Sequence, residues 1–197
     1  MPSRFGTIAK AYVVQDTQQD TMDQLYPRDT ISNPLALNLY TLGYNSNNNL
    51  IELNQALKEN LRTYLSNFRM LTDAINIKSA HIVNIGINFE IIPKPDYNSN
   101  EAVLNCVDRL KTLFHVDRMQ INGPINISSL ISDLDRVEGI QSVPSIIIYN
   151  KFDGSYSNVV YDISMATKNN IIYPSLDPMI FEVKYPETDI KGRVIKP

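Results

Sequence analysis

The sequence is poor in the residues from which most small chemical sites are built. It has one cysteine (Cys106), two histidines and no tryptophan. A single cysteine excludes an intrachain disulfide, and with two histidines it leaves too few soft ligands for a structural zinc site. The 7 glycines are scattered, so neither a Gly-x-Gly-x-x-Gly turn nor a phosphate-cradling loop occurs. No apolar run approaches the roughly 18 residues of a membrane span; the longest, such as residues 143–149, have strand length. Residues 1–6 lack the apolar stretch of a signal peptide, so the default expectation is a reduced, cytoplasmic chain. Neither sign of charge dominates: 18 Lys and Arg stand against 21 Asp and Glu, for a net charge of -3. That balance argues against a surface built as a whole to hold nucleic acid.

What is present is ordinary for a folded domain: 43% hydrophobic and 20% charged residues, with an excess of Ile (24) and Asn (21). At 197 residues the chain is long enough to bury about 70% of its unfolded surface. Alternation of apolar and polar residues predicts strands at 7–14, 35–40 and 80–92, the last stopped by Pro93 and Pro95. Between the first two lies a polar loop, residues 15–34, with four aspartates. From Leu50 the period changes: Leu50, Leu53, Leu57, Leu61, Tyr64 and Phe68 draw one helical stripe, with Asn49 placed to cap it. A second helix follows Asn98 or Ser99, with Val103, Cys106 or Val107, and Leu110 on its stripe. A third runs through Ile127, Leu130, Ile131 and Leu134 toward Gly139. A strand at 143–149, a turn at Asp153-Gly154 and a strand at 159–163 complete the regular part. The order predicts an α+β fold: a mixed or antiparallel sheet with helices packed on one face, plus an extended C-terminal segment. The expected division is an assembly domain at 1–163 and the extended segment at 164–197.

A search for catalytic groupings finds little. No Gly-x-Ser-x-Gly elbow occurs, His81 sits in a strand and His115 at a helix end. Cys106 lies on an apolar helix stripe and reads as a small core residue. Asp133, Asp135 and Glu138 are the densest carboxylates and define the enzyme alternative, a small carboxylate- or metal-dependent hydrolase or transferase; the spacing of a calcium loop is absent. Arg136 intervenes, and a solvated helix face ending at Gly139 is the favoured reading of them. Lys191, Arg193 and Lys196 make the C-terminus basic, whereas residues 16–29 are acidic apart from Arg28; ordinary surface charge is the simpler reading, and contact between copies or with a partner subunit the sharper one. The candidate interface residues are Tyr173, Phe181, Tyr185, Lys191 and Arg193, all in the C-terminal segment.

Several longer stretches carry a family resemblance. Residues 4–13 (Arg-Phe-Gly-Thr-Ile-Ala-Lys-Ala-Tyr-Val) and 33–44 (Asn-Pro-Leu-Ala-Leu-Asn-Leu-Tyr-Thr-Leu-Gly-Tyr) resemble a domain of the baseplate wedge proteins of T-even-like contractile-tailed phages, within the broader baseplate J-like family. Residues 57–73 are similar to that family's central helix, 84–89 to the strand after it, and 185–194 to its C-terminal tail. The resemblance implies a structural virion protein of the tail baseplate, assembled in the host cytoplasm. It implies self-association, as a homodimer within a ring around the hub, and contact with other wedge proteins. It implies no catalytic residue, cofactor, metal, nucleic acid, membrane or small-molecule substrate. A tail receptor-binding module is the other non-enzymatic alternative. Family members are longer, so the expectation is that this stretch is the C-terminal part of a longer chain.

Overall fold

The computed structural model describes residues 7–15, 36–68 and 74–195. Much of the loop expected at 15–34, its acidic run, residues 4–6 and 69–73 of the family-like stretches, and Lys196 lie outside the described residues. The chain forms two compact units, Met1–Ala80 and His81–Pro197.

The first unit is built around β2 (Ala36–Tyr44). β1 (Lys10–Gln15) pairs with it antiparallel, β4 (Ala74–Ser79) parallel, and the short β3 (Leu50–Glu52) antiparallel at its end. Asn38, Tyr40 and Leu42, two apart and therefore on one face of β2, are all buried. Asn38 escapes the cost of burial because Asn76, its partner in β4, donates to its side-chain oxygen at 3.3 Å. Helix α1 (Gln55–Ser66) starts five residues later than its apolar stripe predicts. Leu50 and Leu53 are buried as that stripe requires, but residues 50–52 pair with Leu42–Tyr44, and ladder hydrogen bonds hold them extended. The working cap is Asn54, whose side chain accepts from Leu57 N–H at 2.8 Å.

The second unit carries the larger sheet. Its centre is the 13-residue β5 (His81–Pro93). β7 (Ile140–Lys151) pairs antiparallel along one edge; β10 (Met179–Glu182) and β11 (Ile190–Val194) pair parallel, one after the other, along the opposite edge. Val83, Ile85, Ile87, Phe89 and Ile91 alternate along β5 onto one face and are all buried. Two helices, α2 (Ser99–Leu113) and α3 (Ile127–Asp135), cover that face with Ala102, Cys106, Leu110, Leu130 and Leu134, forming one core. The fold is α+β, with a mixed sheet. β6 (Ile125–Asn126), β8 (Thr167–Lys168) and β9 (Ile171–Ile172) make a small third sheet, and α4 (Ile163–Ala166) and α5 (Pro186–Asp189) are single turns.

Two details differ from the pattern reading. The turn at Asp153-Gly154 forms, with both residues at positive φ (68° and 64°), but residues 159–162 are irregular and Ile163 opens α4, capped by Asp162. The segment after residue 163 does more than lie on a surface. Its residues 179–182 and 190–194 become strands of the main sheet, because β5 is long enough to pair with both in succession.

Candidate functional site

The face of the main sheet turned away from the helices has two halves. Residues paired across a ladder share a face, so Lys151, Asn84 and Glu182 form one row across β7, β5 and β10. Asp189, one residue before Ile190, joins them at the start of β11. Lys151 Nζ donates to Asp189 Oδ1 at 2.6 Å and to the Tyr156 hydroxyl at 3.0 Å; Tyr156 in turn donates to the same oxygen at 2.7 Å. Tyr185 N–H donates to Asp189 Oδ2 at 2.9 Å. Asp189 is fully buried and the Lys151 ammonium lies 4.9 Å from the Tyr156 ring centroid. Burial pulls the Lys151 ammonium down, but its hydrogen bonds to Asp189 and Tyr156 outweigh that and hold it above the usual lysine range. In the same half Asn84 donates to Glu182 at 2.8 Å and accepts from Ser157 N–H at 2.7 Å. These groups are saturated by one another. They brace strands together, and the sequence signal for them was weak, since Lys151 and Asp189 stand 38 residues apart.

The other half is open. Asn88, Glu90, Ser145, Ile147, Lys191, Arg193 and the flanking Phe89 and Gly192 line a shallow depression of about 280 Å³. Ile147 is 57% exposed at its middle, opposite Asn88 in the ladder. Arg193 Nε donates to Glu90 Oε1 at 2.7 Å and its Nη2 meets the same oxygen, while Lys191 is exposed with no polar partner among the described residues.

The structure thus brings Lys191 and Arg193 together on this open face. Tyr185 is 38% exposed and belongs to the brace, its ring packed edge-on against Tyr156 at 5.6 Å. Tyr173, 46% exposed, lies beyond β9, where its carbonyl accepts from the Tyr161 hydroxyl at 2.6 Å. Phe181 is 1% exposed: its place in β10 opposite Val83 turns the ring into the core, where it meets Tyr161 at 5.9 Å. It offers no surface to a partner in this fold. Ile147 did not stand out within the apolar run 143–149, because three successive isoleucines, 146–148, do not show which of them faces out; the ladder turns the middle one outward.

The three carboxylates of the enzyme alternative do not converge. Asp133 pairs with Arg109 at 3.2 Å, Asp135 accepts from Val143 N–H at 2.9 Å, and Glu138 is exposed. Among the described residues no group of three or more His, Cys, Asp or Glu could hold a metal ion, and no helix is long and apolar enough to cross a membrane. Cys106 is fully buried; burial, then the Asp135 carboxylate, push its thiol up to about 11. A raised thiol favours the protonated form in the fold, so its contribution to stability is complete below the ordinary thiol range of about 8.5 and is lost as pH rises through about 11. We predict that iodoacetamide at pH 8 leaves the native protein unlabelled by mass spectrometry and labels it once in denaturing urea. Native labelling at the rate of a free thiol would contradict the burial.

No known protein family matches the chain, and no curated protein does either. One solved structure to which it is similar is described as the cryo-EM structure of the anti-feeding prophage (AFP) baseplate, 6-fold symmetrised. The identity is 12% and the TM-score 0.39, over 82% of this chain and 29% of the other. The chain therefore spans less than a third of that protein's length.

Proposed function

We propose that this chain is a structural building block of a contractile-tail baseplate, which self-associates and links neighbouring wedges into a ring around the hub. The sequence resemblance supports this reading, and one structural observation carries it at the level of residues. The main sheet is covered by helices on one face only, and half of the other face is left open around Ile147, flanked by Lys191 and Arg193. An antiparallel or mixed sheet leaves one face to water when that face is polar. Here the centre of the open half is a β-branched apolar side chain, the kind of group that gains most from being covered. The polar residues that a catalytic site would use are instead consumed in bracing strands.

The occupant of the open face is a second copy of this chain. A specific contact of that kind buries roughly 1,200–2,000 Å², so Ile147 would sit at its centre and the Lys191 and Arg193 charges toward its rim. Ile147→Asp is therefore expected to shift the protein to monomer in light scattering at micromolar concentration, with its circular dichroism unchanged because the side chain touches no core. A wild-type protein that is strictly monomeric, or an Ile147→Asp variant that assembles like wild type, would overturn this assignment. Truncation of residues 175–197 is the wrong test, since it removes β10 and β11 from the sheet.

A further inference from the structure

The edge of the main sheet at β11 is built to accept one more strand. Ile195 N–H donates to Ile91 O at 2.9 Å, so by the two-residue period of a strand Lys191 and Arg193 also direct their backbone groups toward β5. The N–H and C=O of Gly192 and Val194 then point the other way, to the outer edge, where among the described residues no strand pairs with β11. An exposed edge is a template for strand addition unless something blunts it. Beside this one, on the helix side, lies an open groove of about 500 Å³ lined by Asn100, Val103 and Leu104 of α2 and by Gly192 and Val194 of β11. Leu104, an apolar side chain, is 62% exposed.

We propose that this edge and groove bind an extended segment of another protein in which apolar and acidic residues alternate. Both halves of that description follow from the faces of β11. Gly192 is on the helix side, where an added Cβ would lie 2.4 Å from the Phe89 ring, so Val194 is too. A strand laid along the edge, about 4.8 Å away, turns every second side chain into the groove against Val103 and Leu104; those residues are apolar. Its alternate residues fall on the opposite face, next to Lys191 and Arg193. Arg193 already carries Glu90, whereas Lys191 has no polar partner among the described residues, so the residue facing Lys191 is acidic. Pairing of β11 with β11 of a second copy is disfavoured, because it brings Lys191 and Arg193 of both chains onto one face. The site rests on the assembly reading only in taking its occupant to be protein; the two surfaces share Lys191 and Gly192, but only the open face has Ile147 and only the edge groove has Leu104.

The test is a fluorescence-anisotropy titration of the full chain with a labelled seven-residue peptide of alternating valine and glutamate. The controls are a scrambled peptide of the same composition and an alternating valine–lysine peptide. Saturable micromolar binding of the valine–glutamate peptide alone is expected. Leu104→Glu, at an exposed position, is expected to weaken it at least tenfold, and Lys191→Glu to reverse the preference toward the valine–lysine peptide. Equal binding of the scrambled peptide, no binding at all, or full binding by both variants would overturn the proposal. So would loss of self-association in Leu104→Glu, which would assign the edge to a second copy. Peptide binding retained by Ile147→Asp, with self-association lost, separates the two surfaces; no peptide binding by the wild type, with self-association lost in Ile147→Asp, sinks the edge and leaves the assembly reading standing.

Discussion

Asp189→Ala is expected to cost the second unit about 3–5 kcal/mol of stability, the range found when one partner of a buried ion pair is removed. The substitution strips the acceptor from Lys151 Nζ, from the Tyr156 hydroxyl and from Tyr185 N–H at one stroke. The Lys151 side chain is only 20% exposed and is left as an uncompensated charge on the braced half of the sheet. Asp189→Asn retains acceptors in the same place and should fall between the two. Replacing the pair together, Lys151→Met with Asp189→Leu, should cost less than the sum of Lys151→Met and Asp189→Ala, because neither charge is then orphaned. The readouts are the urea midpoint and the hydrogen exchange of residues 190–194, since Asp189 holds the start of β11 against β7 across β5. A loss below about 1 kcal/mol, the scale of an exposed pair, would mean that Lys151 swings out to water and that the brace is ornamental.

The same pair sets an alkaline limit. The folded-state pKa of Lys151 is raised, so its contribution to stability is complete below the unfolded value of about 10.4 and is lost as pH rises through the higher folded value. Tyr161, raised by burial, and Cys106 act with the same sign. Between pH 6 and pH 8, then, these three groups leave stability flat. Comparing the loss above about pH 10 in wild type and in Asp189→Asn isolates the part that belongs to Lys151.

Local pattern served well where one element's own period decided its state. The strand at 80–92 and the helices beginning near Asn98 and Ile127 are where alternation and stripe place them. The asparagine excess also has a local explanation. Asn54, Asn98 and Asn126 cap helices, and Asn48, Asn122, Asn169 and Asn170 sit at positive φ, which asparagine tolerates better than other residues with a side chain. Pattern failed where a distant partner decided. Leu50 and Leu53 fit a helix, yet β2 recruits residues 50–52 as a strand. Residues 179–182 and 190–194 lack a strong alternation, and only the length of β5 makes them sheet. The candidate site was legible in part: Lys191 and Arg193 share the open face, but which neighbour lies beside them depends on the β5–β7 register, and no sequence period shows that Ile147 points out while Phe181 points in.

Phe89→Ala should cost about 3–5 kcal/mol, as large-to-small changes at fully buried aromatics do. Phe89 is 1% exposed and its ring lies over Gly192 so closely that a Cβ there would come within 2.4 Å of it. Gly192 is not among the residues at positive φ, so space rather than backbone conformation demands the glycine. The two positions are therefore coupled in a way that a double-mutant cycle can read. Gly192→Ala alone should destabilise by about 1–3 kcal/mol through overpacking, because the buried ring has nowhere to go. In the Phe89→Ala background the added methyl enters the vacated space, so the same change should be nearly neutral or stabilising. Equal costs in both backgrounds would show that the ring does not set the requirement. The coupling also reaches the edge groove: Gly192, where the Phe89 ring leaves no room for a side chain, is one of the residues that line it. Peptide affinity should accordingly fall in Gly192→Ala even at temperatures where the sheet remains folded, and recover in the double variant.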